Sequence, residues 1–233
     1  MGACGVAGLI LATVLPVVVL PATVLAAGKP SFDCRKAEAA AEKAICADKT
    51  LSKADVAIAA AYDRLRRALD ARAAEALAAD QRGFVAARNA GADWDASGAS
   101  SFMPLKQRLQ DRAKFLAGIE ARPPEGFAGK WRNVSGGLDI EVKADGSFSV
   151  SGDTVEPEAG RWVCEIAGEG RKAGDAMEVR QDKEASTLKL TRDGAILKVE
   201  TVFPAGSSER TVGYCGQNGS VDGSYFRVSA PGK

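Results

Sequence analysis

The sequence predicts an α+β protein in two domains: an N-terminal three-helix antiparallel bundle with a disulfide, then a C-terminal antiparallel β-barrel of about eight strands. Three observations predict it. From about Ser31 to Ile119 the chain is rich in Ala, Leu, Arg and Glu, whereas from about Phe127 onward it is rich in Gly, Val, Thr and Ser. The apolar spacing changes with the composition, from three or four residues to two. Four cysteines (Cys34, Cys46, Cys164 and Cys215) fall two to each half.

The chain opens with "VAGLILATVLPVVVLPATVLAA", an uncharged apolar run ending in small residues. Residues 1–27 read as a secretory signal peptide, although "MGACG" supplies no basic residue ahead of the run. The alternative is an uncleaved anchor, because the run is long enough to span a bilayer. Pro16, Pro21 and the small-residue end favour cleavage. Cleavage takes Cys4 away and leaves an even number of cysteines in an exported chain, which is a disulfide pattern. The expected pairs are Cys34 with Cys46 and Cys164 with Cys215, each inside one compositional half.

The first pair poses a geometric question. A continuous helix would hold Cys34 and Cys46 about 18 Å apart, but a disulfide needs Cα atoms within about 7 Å. A loop and a short helical turn, closed by the bridge, are therefore expected over 34–46. Next, "TLSKADVAIAAAYDRLRRAL" is helical, with Thr50 as N-cap. Leu51, Asp55, Ile58, Tyr62, Leu65 and Leu69 follow helical spacing, and Asp55 alone among them is charged. A second helix is expected over 73–90, carrying Leu77, Phe84, Val85 and Arg88, with Gly91 as its stop and "GADWDASGASS" as a loop. A third runs from Pro104 to Ile119, with Leu105, Leu109, Phe115 and Leu116 on its buried side. Alanine buries little surface, so this thin core benefits from a covalent staple.

Pro123 and Pro124 stop the last helix and begin a short stiff linker over 123–127. Residues 128–233 then read as the barrel. Ala144-Asp145-Gly146 and Asp193-Gly194 mark hairpin turns between alternating segments. "GKWRNV", "GRWVCEIAG", "RTVGYCG" and "DGSYFRV" supply further strands. Trp131, Trp162, Tyr214 and Tyr225 are expected to pack the barrel core or its ends rather than to form a ligand cage.

The chain has no histidine. Ser-His-Asp and Cys-His catalysis, histidine-ligated metals and an imidazole switch are thereby excluded. No phosphate-binding glycine loop occurs, and no catalytic pair of carboxylates stands out. A protein that is not an enzyme and carries no cofactor or metal is expected. Residues 28–123 hold 17 Lys and Arg against 13 Asp and Glu, and residues 124–233 hold 14 against 17. Neither half is basic enough to suggest nucleic acid.

"SFDC", "EKAICAD", "AYDRL", "ADQRGFVAARNA" and "LQDRAKFL" together resemble the LprI-type lysozyme-inhibitor N-terminal domain. The residues that carry the resemblance are Cys34, Cys46, Tyr62, Gln81, Phe84, Arg88, Arg112 and Leu116, within a helical domain of residues 28–122. Phe84 stands where the family usually has Trp, and the second cysteine pair often found near the second-to-third helix connection is absent. Gln81, Arg88 and Arg112 are spaced to meet across helices with Asp80 or Asp111, and read as a structural polar network.

The resemblance implies a periplasmic or secreted cell-envelope protein, without a stable membrane span once its signal is cleaved. Its implied partner is lysozyme or another cell-wall hydrolase, which it would inhibit. A barrel-type carrier of a small ligand and a purely structural envelope module are the competing readings.

Overall fold

Asp48 organises the start of the helical region. The computed structural model describes residues 29–98, 102–208 and 211–229 together with Met1, and the segment read as a signal peptide lies, Met1 apart, outside them. A short helix, α1 (Ala40–Ala47), precedes α2 (Lys49–Ala68) with only Asp48 between them. The Asp48 N–H donates to Ala44 O, ending α1. Its carboxylate accepts the N–H groups of Thr50 and Leu51, starting α2. Asp48, not Thr50, is thus the N-cap. The two remaining helices are α3 (Ala71–Ala96) and α4 (Leu105–Gly118), so the bundle has four helices, not three. The 34–46 disulfide loop forms as expected: a 3-10 turn (Cys34–Lys36) leads into α1, and the bridge holds Cys34 and Cys46 with their Cα atoms 5.9 Å apart.

Gly91 does not stop α3. The guanidinium of Arg108 packs on it so closely that a Cβ there would lie 3.3 Å from Nη2. Its missing side chain therefore makes room for α4. The helix runs on until Ser97 and Gly98, whose N–H groups take up its last carbonyls. Gly98 has φ +83°, the left-handed conformation that closes helices.

The second region is a closed barrel of eight antiparallel strands in sequence order. They are β1 (Gly129–Asn133), β2 (Gly136–Val142), β3 (Phe148–Val155), β4 (Val163–Ala173), β5 (Ala176–Gln181), β6 (Thr187–Asp193), β7 (Ile196–Val202) and β8 (Gly223–Val228). β8 pairs with β1 to close the wall. "RTVGYCG" forms no strand over its described residues, 211–216. It belongs to the long β7–β8 connection and touches the wall through one bridge, Cys164 opposite Cys215, where the second disulfide lies.

Alternation sorts the strand residues. Trp131, Leu138, Met177, Val179, Leu188, Leu190 and Leu197 point inward and are wholly shielded from solvent. The Trp131 indole donates to Phe127 O at 2.7 Å and the Tyr225 hydroxyl to Val221 O at 2.7 Å, so both buried polar tips are satisfied. Trp162 and Tyr214 pack, half-buried, against this core.

The outward residues Ile196 and Phe226 belong to a second core, made mainly by the helices. Phe226 meets the Phe115 ring edge-on at 6.5 Å. The helices' thin apolar stripe is completed by the barrel wall. Backbone bonds join the same surfaces: Glu120 N–H donates to Arg227 O and Ser229 N–H to Gly118 O, both at 3.0 Å. The 123–127 stretch is also anchored, because Arg192 donates to Gly126 O and Phe127 is buried.

Candidate functional site

Three buried arginines sit on the inner faces of α3 and α4. Arg112, on α4, donates through Nε and Nη2 to Gln81 Oε1 on α3 at 2.9 and 2.7 Å. Its Nη1 donates to Asp80 Oδ2 at 2.5 Å. The Phe84 and Phe115 rings flank the same guanidinium, with centroids 5.0 and 4.9 Å away. Burial pushes the Arg112 pKa down, and the Asp80 carboxylate opposes that shift. The other Asp80 oxygen accepts the Val134 N–H in the β1–β2 turn at 2.6 Å. One carboxylate thus ties α3 to α4 and both to the barrel.

Arg88 lies apart from this cluster. Its Nε and Nη2 donate to Asn89 Oδ1 at 3.0 and 2.9 Å, and Nη2 stands 3.8 Å from Glu42 on α1. Burial lowers its pKa, opposed by the charges of Asp55 and Glu42. Asp55 is buried on α2 and accepts the Ser31 N–H at 2.7 Å. The structure therefore joins Gln81 to Arg112 and Asp80, and places Arg88 in a second joint linking α1, α2 and the N-terminal arm. Asp111 takes part in neither; it is exposed, stands 3.7 Å from Lys114 and borders the cleft described below.

The third arginine, Arg108, was not singled out by sequence. Its Nη1 donates to Pro157 O in the β3–β4 connection at 2.6 Å, while Nε and Nη2 have no acceptor. A legible signal existed: Arg108 and Arg112 fall among Leu105, Leu109 and Leu116 on one helical face.

Beside Arg108 and Arg112 a cleft of about 280 Å³ opens between the helices and the barrel. Phe84, Phe102, Met103 and Phe115 line it from the helical side, Val134 and Pro157 from the barrel. Its walls are mainly apolar, which suits an apolar side chain or ring better than a charged group. Among the described residues no group of three or more His, Cys, Asp or Glu is placed to hold a metal ion. No helix among them is long and apolar enough to cross a membrane.

These features define a two-part, disulfide-braced protein in which a helical module is seated on the outside of a filled β-barrel. Residues 34–119 match the model of the family described as lysozyme inhibitor LprI. No curated protein and no solved structure matches the chain.

Proposed function

We propose that this is an exported envelope protein whose helical domain, residues 28–122, binds lysozyme or a related peptidoglycan hydrolase and inhibits it. The observation that carries the reading is the match of residues 34–119 to the lysozyme-inhibitor family. Two disulfides accord with maturation outside the cytosol. In this reading residues 1–27 are removed on export, residues 123–127 connect the domains, and residues 128–233 form a barrel that supports the helical domain.

The barrel interior favours support over carriage of a small ligand. Seven inward side chains are wholly shielded from solvent, which leaves no water-sized space against them, and a carrier needs a chamber. The direct test is a lysozyme activity assay with the purified, disulfide-bonded protein, paired with a binding measurement. Dose-dependent inhibition with a stable complex is expected. Absence of both at micromolar protein would overturn the reading.

A further inference from the structure

Three arginines border the cleft between the helices and the barrel, and Asp111 is the one carboxylate among its described lining residues. Arg112 is paired with Asp80 and Arg132 with Asp139. Arg108 forms no ion pair among the described residues; burial lowers its pKa, opposed by the charges of Asp95 and Glu156. It is 7 % exposed, so water does little to compensate its charge.

Its hydrogen bonds are also incomplete. Nη1 donates to Pro157 O, whereas Nε and Nη2 have no partner. A buried donor without an acceptor is destabilising, and more so when it is charged. Such groups are few in folded proteins, and cations with shifted pKa values beside a cleft mark functional sites.

The neighbouring space has a complementary character. Phe84 and Phe115 line it from the helices, and Val134, Val155 and Pro157 from the barrel. Its volume of about 280 Å³ is that of about nine waters, room for an apolar body of roughly ten non-hydrogen atoms. Arg108 and its acceptor Pro157 both belong to the lining. An unneutralised guanidinium therefore stands at the edge of an apolar chamber, the combination of apolar walls and a few polar groups that small-molecule sites use.

We propose that this cleft binds a small amphipathic acid, a carboxylate carried on an aromatic ring or short acyl chain, with the apolar body against Phe84, Phe115 and Val155 and the carboxylate on Arg108. A carboxylate matches the planar fork of a guanidinium through two parallel hydrogen bonds. In the structure Nη2 packs on Gly91. The carboxylate draws the guanidinium from that contact toward the cleft, a side-chain rotation of the kind that binding commonly brings. The site lies outside the filled barrel and does not depend on the inhibitory reading.

The test uses the whole disulfide-bonded protein and two probes with the same apolar body, phenylpropionate and its neutral alcohol, phenylpropanol. Binding is followed by amide NMR shifts and by melting temperature in the parent, Arg108→Met and Val155→Phe. In the parent the acid should bind at least tenfold more tightly than the alcohol and shift the amides of Val134 and Ser135. Arg108→Met, which keeps an unbranched side chain and removes the charge, should bring the two probes to equal affinity. Val155→Phe, which narrows the cleft and leaves the charge, should abolish binding of both. Should Arg108→Met fail to fold, the two probes on the parent and on Val155→Phe still decide. The proposal is overturned if neither probe shifts those amides at millimolar concentration, if the alcohol binds the parent as tightly as the acid, or if Val155→Phe binds both as the parent does.

Discussion

At the scale of single residues, Asp80 carries most structural consequence. It is 9 % exposed and serves a buried cation and a barrel N–H at once. Removing one partner of a buried pair strands the other charge, at a cost of about 3–5 kcal/mol. Asp80→Ala should lose stability of that order in urea unfolding. Gln81→Ala should lose about 1–2 kcal/mol, because Arg112 keeps its carboxylate. Equal, small losses from both would show that Asp80 is not the joint described. Sequence spacing puts Gln81 and Arg112 within reach of each other across helices, and Arg112 donates to Gln81 Oε1. It could not reveal the Val134 contact, which is 54 positions away in the chain. It also grouped Arg88 with them, whereas Arg88 lies about two turns further along α3 and meets Glu42 of α1 instead.

At the scale of elements, the first disulfide and Glu42 govern the α1 end. Closing a loop of this length contributes about 3 kcal/mol in the entropic account. A Cys34→Ser/Cys46→Ser double variant should lose stability of that size and leave the far helices intact, as amide exchange would report. Cys34 is exposed while Cys164 is wholly buried. Mild reductant followed by alkylation should therefore label Cys34 and Cys46 before the barrel pair. The Glu42 carboxylate accepts the N–H groups of Glu38 and Ala39, which holds its pKa below the usual 4.5. A depressed folded-state pKa contributes stability above the unfolded value, lost as pH falls through the folded one. Melting temperature should thus drop below about pH 4.5, and Glu42→Gln should flatten that drop. A parent curve with the same slope as the variant would remove Glu42 from the account.

At the scale of the molecule, the two regions share a core. Ile196 and Phe226 leave the barrel wall and enter the helical cluster. Phe226 is fully buried, and truncating such a ring costs about 3–5 kcal/mol. Phe226→Ala should lower the melting temperature of both parts together, and calorimetry of the parent should give one transition. Two separated transitions would mean that the seam is weak and that the helices stand on their own. This seam also explains how so alanine-rich a bundle stays folded: the bridge braces one end and the barrel wall supplies apolar mass along the other side.

Local patterns by themselves determined the helical and β halves, the pairing of the cysteines, the hairpin turns and the inward aromatics, because each depends on neighbours a few residues apart or on composition. The tertiary structure decided the rest. It extended α3 through Gly91, because only packing shows that this glycine admits Arg108. It also limited residues 211–216 to a single bridge, Cys215 opposite Cys164, on the stretch of β4 that β5 does not pair. And it chose the barrel wall as the partner of the helices, a choice made by surface complementarity between segments a hundred residues apart, on which no local periodicity bears.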